Sequence, residues 1–185
     1  MIKSFNGKTP RIAESACVDE AAHIMGDVEI GDNCIVSPGA VLRGDFAGMR
    51  IGQNVWIEDN CVLHAGPNDL IIGDNVTIGH GAVVNCHRIG NNVLVGMNAT
   101  LLHKAEIGNN CIVGAATLVS EGMKIPDNSF VAGVPGKIRG KPTEKQLWWI
   151  KREPEAYSQF VKQYKAGKLV RTTVSSLHST TWANE

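Results

Sequence analysis

"VTIGHGAVVNCHRIGNNVLVGMNATLLHKAEIGNN", residues 76–110, carries an aliphatic residue at about every sixth position, and glycine often follows it. Neither the 3.6-residue period of an α-helix nor the two-residue alternation of an ordinary strand explains this spacing. A six-residue period is typical of a parallel β-helix, in which three hexads form one triangular coil and the aliphatic side chains point inward. The pattern therefore predicts an all-β protein built from stacked coils.

The same period runs from residue 12 to residue 135 with two short interruptions, and it predicts about seven coils. The fourth residue after each aliphatic is usually small. Cys34, Cys61 and Cys111 occupy such positions, so we expect them to be buried packing residues. The residues predicted to point inward are Ile12, Val18, Ile24, Ile30, Val36, Leu42, Ile51, Ile57, Val62, Ile72, Ile78, Val83, Ile89, Val95, Leu101, Ile107, Val113, Val119, Ile125 and Val131.

The amino-acid composition limits the kinds of partner that the chain is expected to bind and the compartment in which it is expected to occur. The chain has 185 residues, and 18 basic side chains balance 18 acidic ones, so neither a nucleic acid nor a membrane surface is expected as a partner. No apolar run is long enough for a transmembrane helix, and the start, "MIKSFNGKTPRIAES", lacks the apolar run of a signal peptide. Five cysteines without paired CxxC spacing are then expected as reduced thiols in the cytoplasm.

Three segments follow from the change of composition after "VAGVPGKIRGKP", residues 131–142. We expect a β-helix domain over residues 1–142. Thr143 with Gln146 has the spacing of a capping box, which predicts the start of a C-terminal helical segment that covers residues 143–167 and packs on the prism. Residues 168–185 are rich in Ser and Thr and are predicted to form a flexible tail.

The run "VLRGDFAGMRIGQNVWIEDNCVLHAG", residues 41–66, followed by "VTIGHGAVV" and "VLVGMNATLL", resembles the gamma-class carbonic anhydrase-like family of hexapeptide-repeat proteins. Its similarity is greatest to the members found in phenylacetate-degradation and carnitine operons. The resemblance implies a left-handed parallel β-helix, a homotrimer and a zinc ion at each subunit interface. Another divalent transition metal is the alternative cofactor.

Three histidines hold the metal in that family. His64 and His80 match two of them, and Asn85 stands at the third position, because the usual "HGC" is "NCH" here. Counting residues places His64 and Asn85 on one face and His80 on another, so a shared site requires a neighbouring subunit. We expect a local change of register to bring His87 in as the third ligand. The alternative is Asn85 beside a weakly held or absent metal, and ordinary surface histidines are the non-functional interpretation.

The resemblance also suggests residues around the metal. Arg43 and Asp45 match an inter-subunit ion pair and polar network. Glu58 stands where the family often has a glutamine near the metal-bound water, and Asp59 matches a residue of the family pattern. Tyr157 resembles a tyrosine that the C-terminal helix brings toward the site.

The implied activity is that of a zinc-dependent lyase. Three protein ligands leave an open position for water, the metal lowers the pKa of that water, and the resulting hydroxide attacks carbon dioxide to give bicarbonate. Glu58, or less readily Asp69, would move the proton. The alternatives are an acyl-CoA thioesterase, a hexapeptide acyltransferase suggested by "AGVPGK", and a non-catalytic trimeric scaffold with a degenerate metal site.

Overall fold

The computed structural model describes residues 1–148, 150, 159 and 161–163. Most of its strands are short because the coil turns a corner after two to four strand residues. The twenty strands are β1 Ile2–Lys3, β2 Arg11–Ile12, β3 Cys17–Val18, β4 His23–Ile30, β5 Ile35–Val36, β6 Val41–Ile51, β7 Trp56–Ile57, β8 Val62–His64, β9 Leu70–Ile72, β10 Val76–Ile78, β11 Val83–Val84, β12 Arg88–Ile89, β13 Val93–Val95, β14 Thr100–Leu101, β15 Glu106–Ile107, β16 Ile112–Val113, β17 Leu118–Val119, β18 Lys124–Ile125, β19 Phe130–Ala132 and β20 Lys137–Gly140.

The strands form the three faces of a triangular prism. The first face contains β1, β8, β11, β14 and β17, and the second contains β2, β9, β12, β15 and β18. Strands β4 and β6 are long and bend through the corner that joins these two faces. The third face contains β3, β5, β7, β10, β13, β16, β19 and β20. The predicted class, an all-β, left-handed parallel β-helix of about seven coils, is confirmed.

Inward-pointing aliphatic residues fill the prism, and most of those predicted from the six-residue period are buried. The predictions for Val62 and Val83 are wrong: these side chains are 37% and 40% exposed, whereas Leu63 and Val84 are fully buried. The physical reason is that the corner between the third and first faces keeps its six-residue spacing. That spacing leads from Ile57 to Leu63, and from Ile78 to Val84 in the next coil.

The prediction of buried, unpaired cysteines is confirmed for Cys34, Cys61 and Cys111. Burial raises the pKa of the Cys34 and Cys61 thiols to about 11. These thiols fill the small-residue positions of the interior and have no role in the chemistry considered below.

An asparagine ladder marks one corner and shows that coil length varies. Asn54, Asn75, Asn92 and Asn110 have positive φ angles of 53–56°, a conformation that asparagine tolerates better than most residues. Each of the first three donates a side-chain hydrogen bond to the next, over sequence separations of 21, 17 and 18 residues. The coils are therefore unequal, although the ladder stays in register.

The differences in length arise at the corner between the first and second faces. Successive inward residues across it are nine apart in two coils, Leu42 to Ile51 and Leu63 to Ile72, and five apart in the next, Val84 to Ile89. In the last coils the interval returns to six, as at the other two corners. We call this the variable corner.

The C-terminal end of the third face is closed by β20, which pairs antiparallel with β19. The Thr143 capping box is confirmed: its backbone N–H donates to Gln146 Oε1 at 2.8 Å, and Gln146 N–H donates to Thr143 Oγ1 at 3.3 Å. Residues 144–148 and 150 are helical. No helix in the described part of the chain is long and apolar enough to span a membrane.

Candidate functional site

The variable corner carries an outward-facing column of polar residues on the first face. Arg43 and His64 are directly paired between β6 and β8. Asn85 follows Val84, which pairs with Leu63, so it occupies the same column one coil further on. The prediction that His64 and Asn85 share a face is therefore met by the strand register.

Asp45 links the first two members of this column. Its Oδ2 accepts a hydrogen bond from Arg43 Nη2 at 2.6 Å, and its Oδ1 lies 3.1 Å from His64 Nε2. Burial raises the pKa of Asp45, but the hydrogen bond and positive charge of Arg43 outweigh that effect, so the pKa lies below its ordinary value. Asp45 thus carries a negative charge that orients the His64 ring.

Phe46 is a component of the site that sequence reasoning missed. Its ring meets the His64 ring edge-on, with centroids 5.9 Å apart, yet 81% of the residue is exposed. The available signal was an aromatic residue directly after "RGD". An exposed phenylalanine beside a polar cluster is a candidate contact for another molecule.

His80 lies at the corner between the third and first faces, two residues beyond Ile78 at the end of β10. Its Nδ1 is 2.9 Å from Asp59 Oδ2, its Nε2 is 3.2 Å from Glu58 Oε2, and its backbone N–H donates to the same Glu58 oxygen at 3.0 Å. Glu58 and Asp59 reach His80 because β7, which precedes them, pairs with β10. The His80 side chain is half-exposed.

Two separate half-sites therefore exist on one chain, since His64 belongs to the first face and His80 follows a strand of the third. Among the residues that the structure describes, no three His, Cys, Asp or Glu side chains come together in a way that could hold a metal ion. The histidines predicted as ligands are not brought together within one chain, as the residue count indicated.

Asn85 completes the first half-site. Its Oδ1 is buried and, within the described residues, has no hydrogen-bond partner. An unpartnered carbonyl oxygen one coil from His64 in the same column is a suitable donor type for a divalent cation, although amide oxygen is a harder ligand than imidazole nitrogen. The donor types of His64, His80 and Asn85 are therefore two imidazoles and one amide. This set suits a divalent ion, but it has two imidazoles where the resemblance implies three.

His87 is held on the second-face side of the variable corner. Its Nδ1 is 2.9 Å from the backbone carbonyl oxygen of Asp69, and the following Arg88 pairs with β9 and β15. The interior position at this turn is filled by Cys86, which is only 3% exposed. Tyr157 lies outside the described residues.

The repeats match two sequence families. The family described as "Bacterial transferase hexapeptide (six repeats)" matches residues 9–44 and 87–120, and "Hexapeptide repeat of succinyl-transferase" matches residues 69–103. Among solved structures, a hexapeptide transferase family protein from Anaplasma phagocytophilum has a TM-score of 0.83 at 32% identity and covers 88% of this chain and 97% of its own. A proposed acetyltransferase from Bacillus cereus has a TM-score of 0.85 at 35% identity, covering 89% and 96%. The class is that of hexapeptide-repeat proteins.

Curated relatives define the family within this class. A carbonic anhydrase from Geobacillus kaustophilus is 40% identical over 94% of this chain and 96% of its own. A probable carbonic anhydrase from Methanocaldococcus jannaschii is 46% identical over 83% and 99%. The carnitine operon protein CaiE of Escherichia coli is 31% identical over 85% and 81%. The chain belongs to the gamma-class carbonic anhydrase-like family.

Proposed function

We propose that this chain is a metal-dependent lyase that hydrates carbon dioxide to bicarbonate at the subunit interfaces of a homotrimer. The observation that carries the proposal is the separation of His64 and His80 onto different faces, each with a ring nitrogen within 3.2 Å of a carboxylate oxygen. Only a second copy can bring the two imidazoles to one ion. The identity to relatives named carbonic anhydrase supports the reaction.

The surface beside His64 supports assembly of copies through the first face. Val62 and Val83 form an outward apolar stripe next to the column of His64 and Asn85, and Phe46 projects from the same corner. Covering these side chains with a neighbouring copy removes apolar area from water. A cyclic assembly in which each copy presents its His80 corner to the next copy's first face generates identical sites, and three copies is the number that the family implies.

His64, His80 and a third donor at the variable corner would hold the ion. A bound zinc or similar divalent ion would supply a nucleophile from water at neutral pH. Asp59 Oδ2 lies 2.9 Å from His80 Nδ1 and Glu58 Oε2 lies 3.2 Å from its Nε2, so the two carboxylates would orient the ring around a bound ion. Asp45 orients the His64 ring in the same manner.

Glu58 is the proposed proton acceptor. Its Oε2 lies 3.2 Å from His80 Nε2 and is held there by the His80 backbone N–H. A carboxylate fixed beside the donor nitrogen is within reach of a proton released at the same place. Asp69 is a poorer candidate because its Oδ1 accepts the Gly48 N–H at 2.8 Å and fixes the loop instead.

Acyl transfer is the second candidate, favoured by the structural neighbours named as a hexapeptide transferase family protein and a proposed acetyltransferase. Acyl-CoA hydrolysis and a non-catalytic scaffold remain as further alternatives. Parallel assays distinguish them: hydration of carbon dioxide by stopped flow, hydrolysis of an acyl-CoA, and acyl transfer to an added acceptor. We expect activity in the first assay.

Variants connect that activity to the assembly. His64→Ala and His80→Ala should each abolish metal binding and hydration, while a mixture of the two variants should regain part of both, because some interfaces of mixed trimers carry both wild-type histidines. His23→Ala, which removes an exposed imidazole from the first face, is the matched control and should retain activity. A stable monomer in sedimentation, or hydration that survives in metal-free protein, contradicts the proposal.

A further inference from the structure

The described part of the chain contains two buried side-chain oxygens without a hydrogen-bond partner, Asn85 Oδ1 and Thr117 Oγ1. A buried polar atom that has lost water and gained no partner destabilises the folded chain. Thr117 lies among the regular coils, between Gly114 and Gly136. Asn85 lies in the column of the candidate site, one coil from His64, whereas Thr117 lies outside that column.

The position of the amide is set by the fold. Asn85 N–H donates to the carbonyl oxygen of Leu101 at 2.9 Å, and its column places it one coil from His64, about 4.8 Å by strand spacing. Gly66 leaves room for the side chain: a Cβ built there would lie 3.0 Å from Asn85 Oδ1 and 3.2 Å from His103 Cδ2. A side chain at residue 66 would therefore compete with the amide oxygen for its space.

His87 is less well placed to be the third donor. Its backbone N–H bonds to Ala105 and its carbonyl oxygen accepts from Ile71, which fixes it in the ladder of the second face. Its Nδ1 is engaged with the Asp69 carbonyl oxygen at 2.9 Å. The change of register that would turn this ring toward His64 would break all three hydrogen bonds.

We infer that Asn85 Oδ1 is the third protein donor to the interfacial ion, with His64 of the same chain and His80 of a second copy. This inference rests on the proposed function, because it assumes the shared site. Carbonyl oxygen suits Mn²⁺ and other hard cations, whereas imidazole suits Zn²⁺. Replacing one imidazole by an amide therefore lowers the preference of the site for zinc over manganese.

The test measures metal affinity, without reference to catalysis. Full-length protein is stripped with a chelator and titrated separately with Zn²⁺ and Mn²⁺ in competition with a chromophoric chelator. Asn85→His should raise zinc affinity by at least about 10-fold, the size of effect that a single partner around a metal ligand has, and should raise manganese affinity less. Asn85→Leu, of similar volume, should weaken both ions by at least about 10-fold.

His87→Ala is the matched control and should bind both ions as the parent does. The inference is overturned if Asn85→Leu binds metal as tightly as the parent, if Asn85→His does not increase the zinc-to-manganese preference, or if His87→Ala loses the ion. Circular dichroism and sedimentation show that each variant is folded and assembled, and Asn85→His provides a second answer should Asn85→Leu fail to fold.

The two proposals fail differently. If the parent binds metal and His64→Ala abolishes binding while Asn85→Leu does not, the shared site stands and the amide donor is wrong. If neither the parent nor Asn85→His binds metal, the metal-dependent function itself is wrong, and the donor assignment with it.

Discussion

The variable corner differs from the other two corners of the prism in the sequence spacing of its inward residues. At the corners between the second and third faces and between the third and first, inward residues stay six apart through the coils. At the variable corner the interval is nine, nine and then five residues before it returns to six. Arg43, Asp45, His64, Asn85 and His87 all belong to these irregular turns. Irregular turns displace the chain from the repeat and so create positions that a uniform coil does not have.

The largest expected effect on the free energy of unfolding comes from the strand register beside the variable corner. Leu63→Ala should lower the free energy of unfolding by about 2–5 kcal/mol, because it removes a fully buried side chain and leaves a cavity. Val62→Ala removes a half-exposed side chain of the same strand and should cost less than about 1 kcal/mol within the folded chain. Urea unfolding at one protein concentration measures both, and equal losses would contradict the observed register.

The next largest effect on stability is expected where a glycine allows two neighbouring coils to approach closely. A Cβ on Gly44, inside the long β6 strand, would press against the backbone carbonyl oxygen of Asp27, so Gly44→Ala should cost about 1–3 kcal/mol through forced separation of β4 and β6. A Cβ on Gly114, in the regular coils, would meet Ala132 Cβ at an ordinary 3.4 Å. Gly114→Ala should be neutral or stabilise by up to about 1 kcal/mol. Thermal unfolding of the two variants compares them directly, and similar melting temperatures would be the contrary result.

The charge at the variable corner predicts a pH dependence. Since the pKa of Asp45 is lowered in the folded chain, its carboxylate stabilises the fold above the unfolded-chain pKa of about 3.9 and that contribution disappears as pH falls through the folded pKa. Asp45→Asn should therefore be less stable than the parent at neutral pH, and the difference should shrink below about pH 4. Urea titrations over a pH series measure this difference, which would stay constant if the carboxylate made no net contribution.

The smallest effect on the free energy of unfolding is expected for an exposed ion pair in the regular coils. Lys124 Nζ lies 3.3 Å from Glu106 Oε1, but the Lys124 side chain is 77% exposed, so solvent screens the pair. Lys124→Ala should change the free energy of unfolding by less than about 0.5 kcal/mol. A larger loss in urea unfolding would mean that the outward column of the second face contributes more than its exposure suggests.

The regular corners are also the part of the molecule that the sequence predicts best. A strict period identifies the fold and most of the interior, since each inward position repeats the same environment. It fails at Val62 and Val83, where two adjacent aliphatic residues compete for one inward position and only the path of the coil decides between them. The resemblance locates His64, His80 and Asn85. It did not reveal Phe46 against His64, because that contact depends on how the nine-residue turn folds.

The antiparallel pairing of β20 has a consequence for the solubility of the chain. A stack of parallel coils is an open-ended template, because the last strand of a face presents unpaired N–H and C=O groups on which a strand of another molecule could continue the stack into a fibre. On the third face β20 runs in the opposite direction, covers β19 and breaks the repeat. Its exposed Lys137 and Arg139 add like charges at the new edge. The reversal thus acts as a terminator that opposes end-to-end polymerisation at that edge.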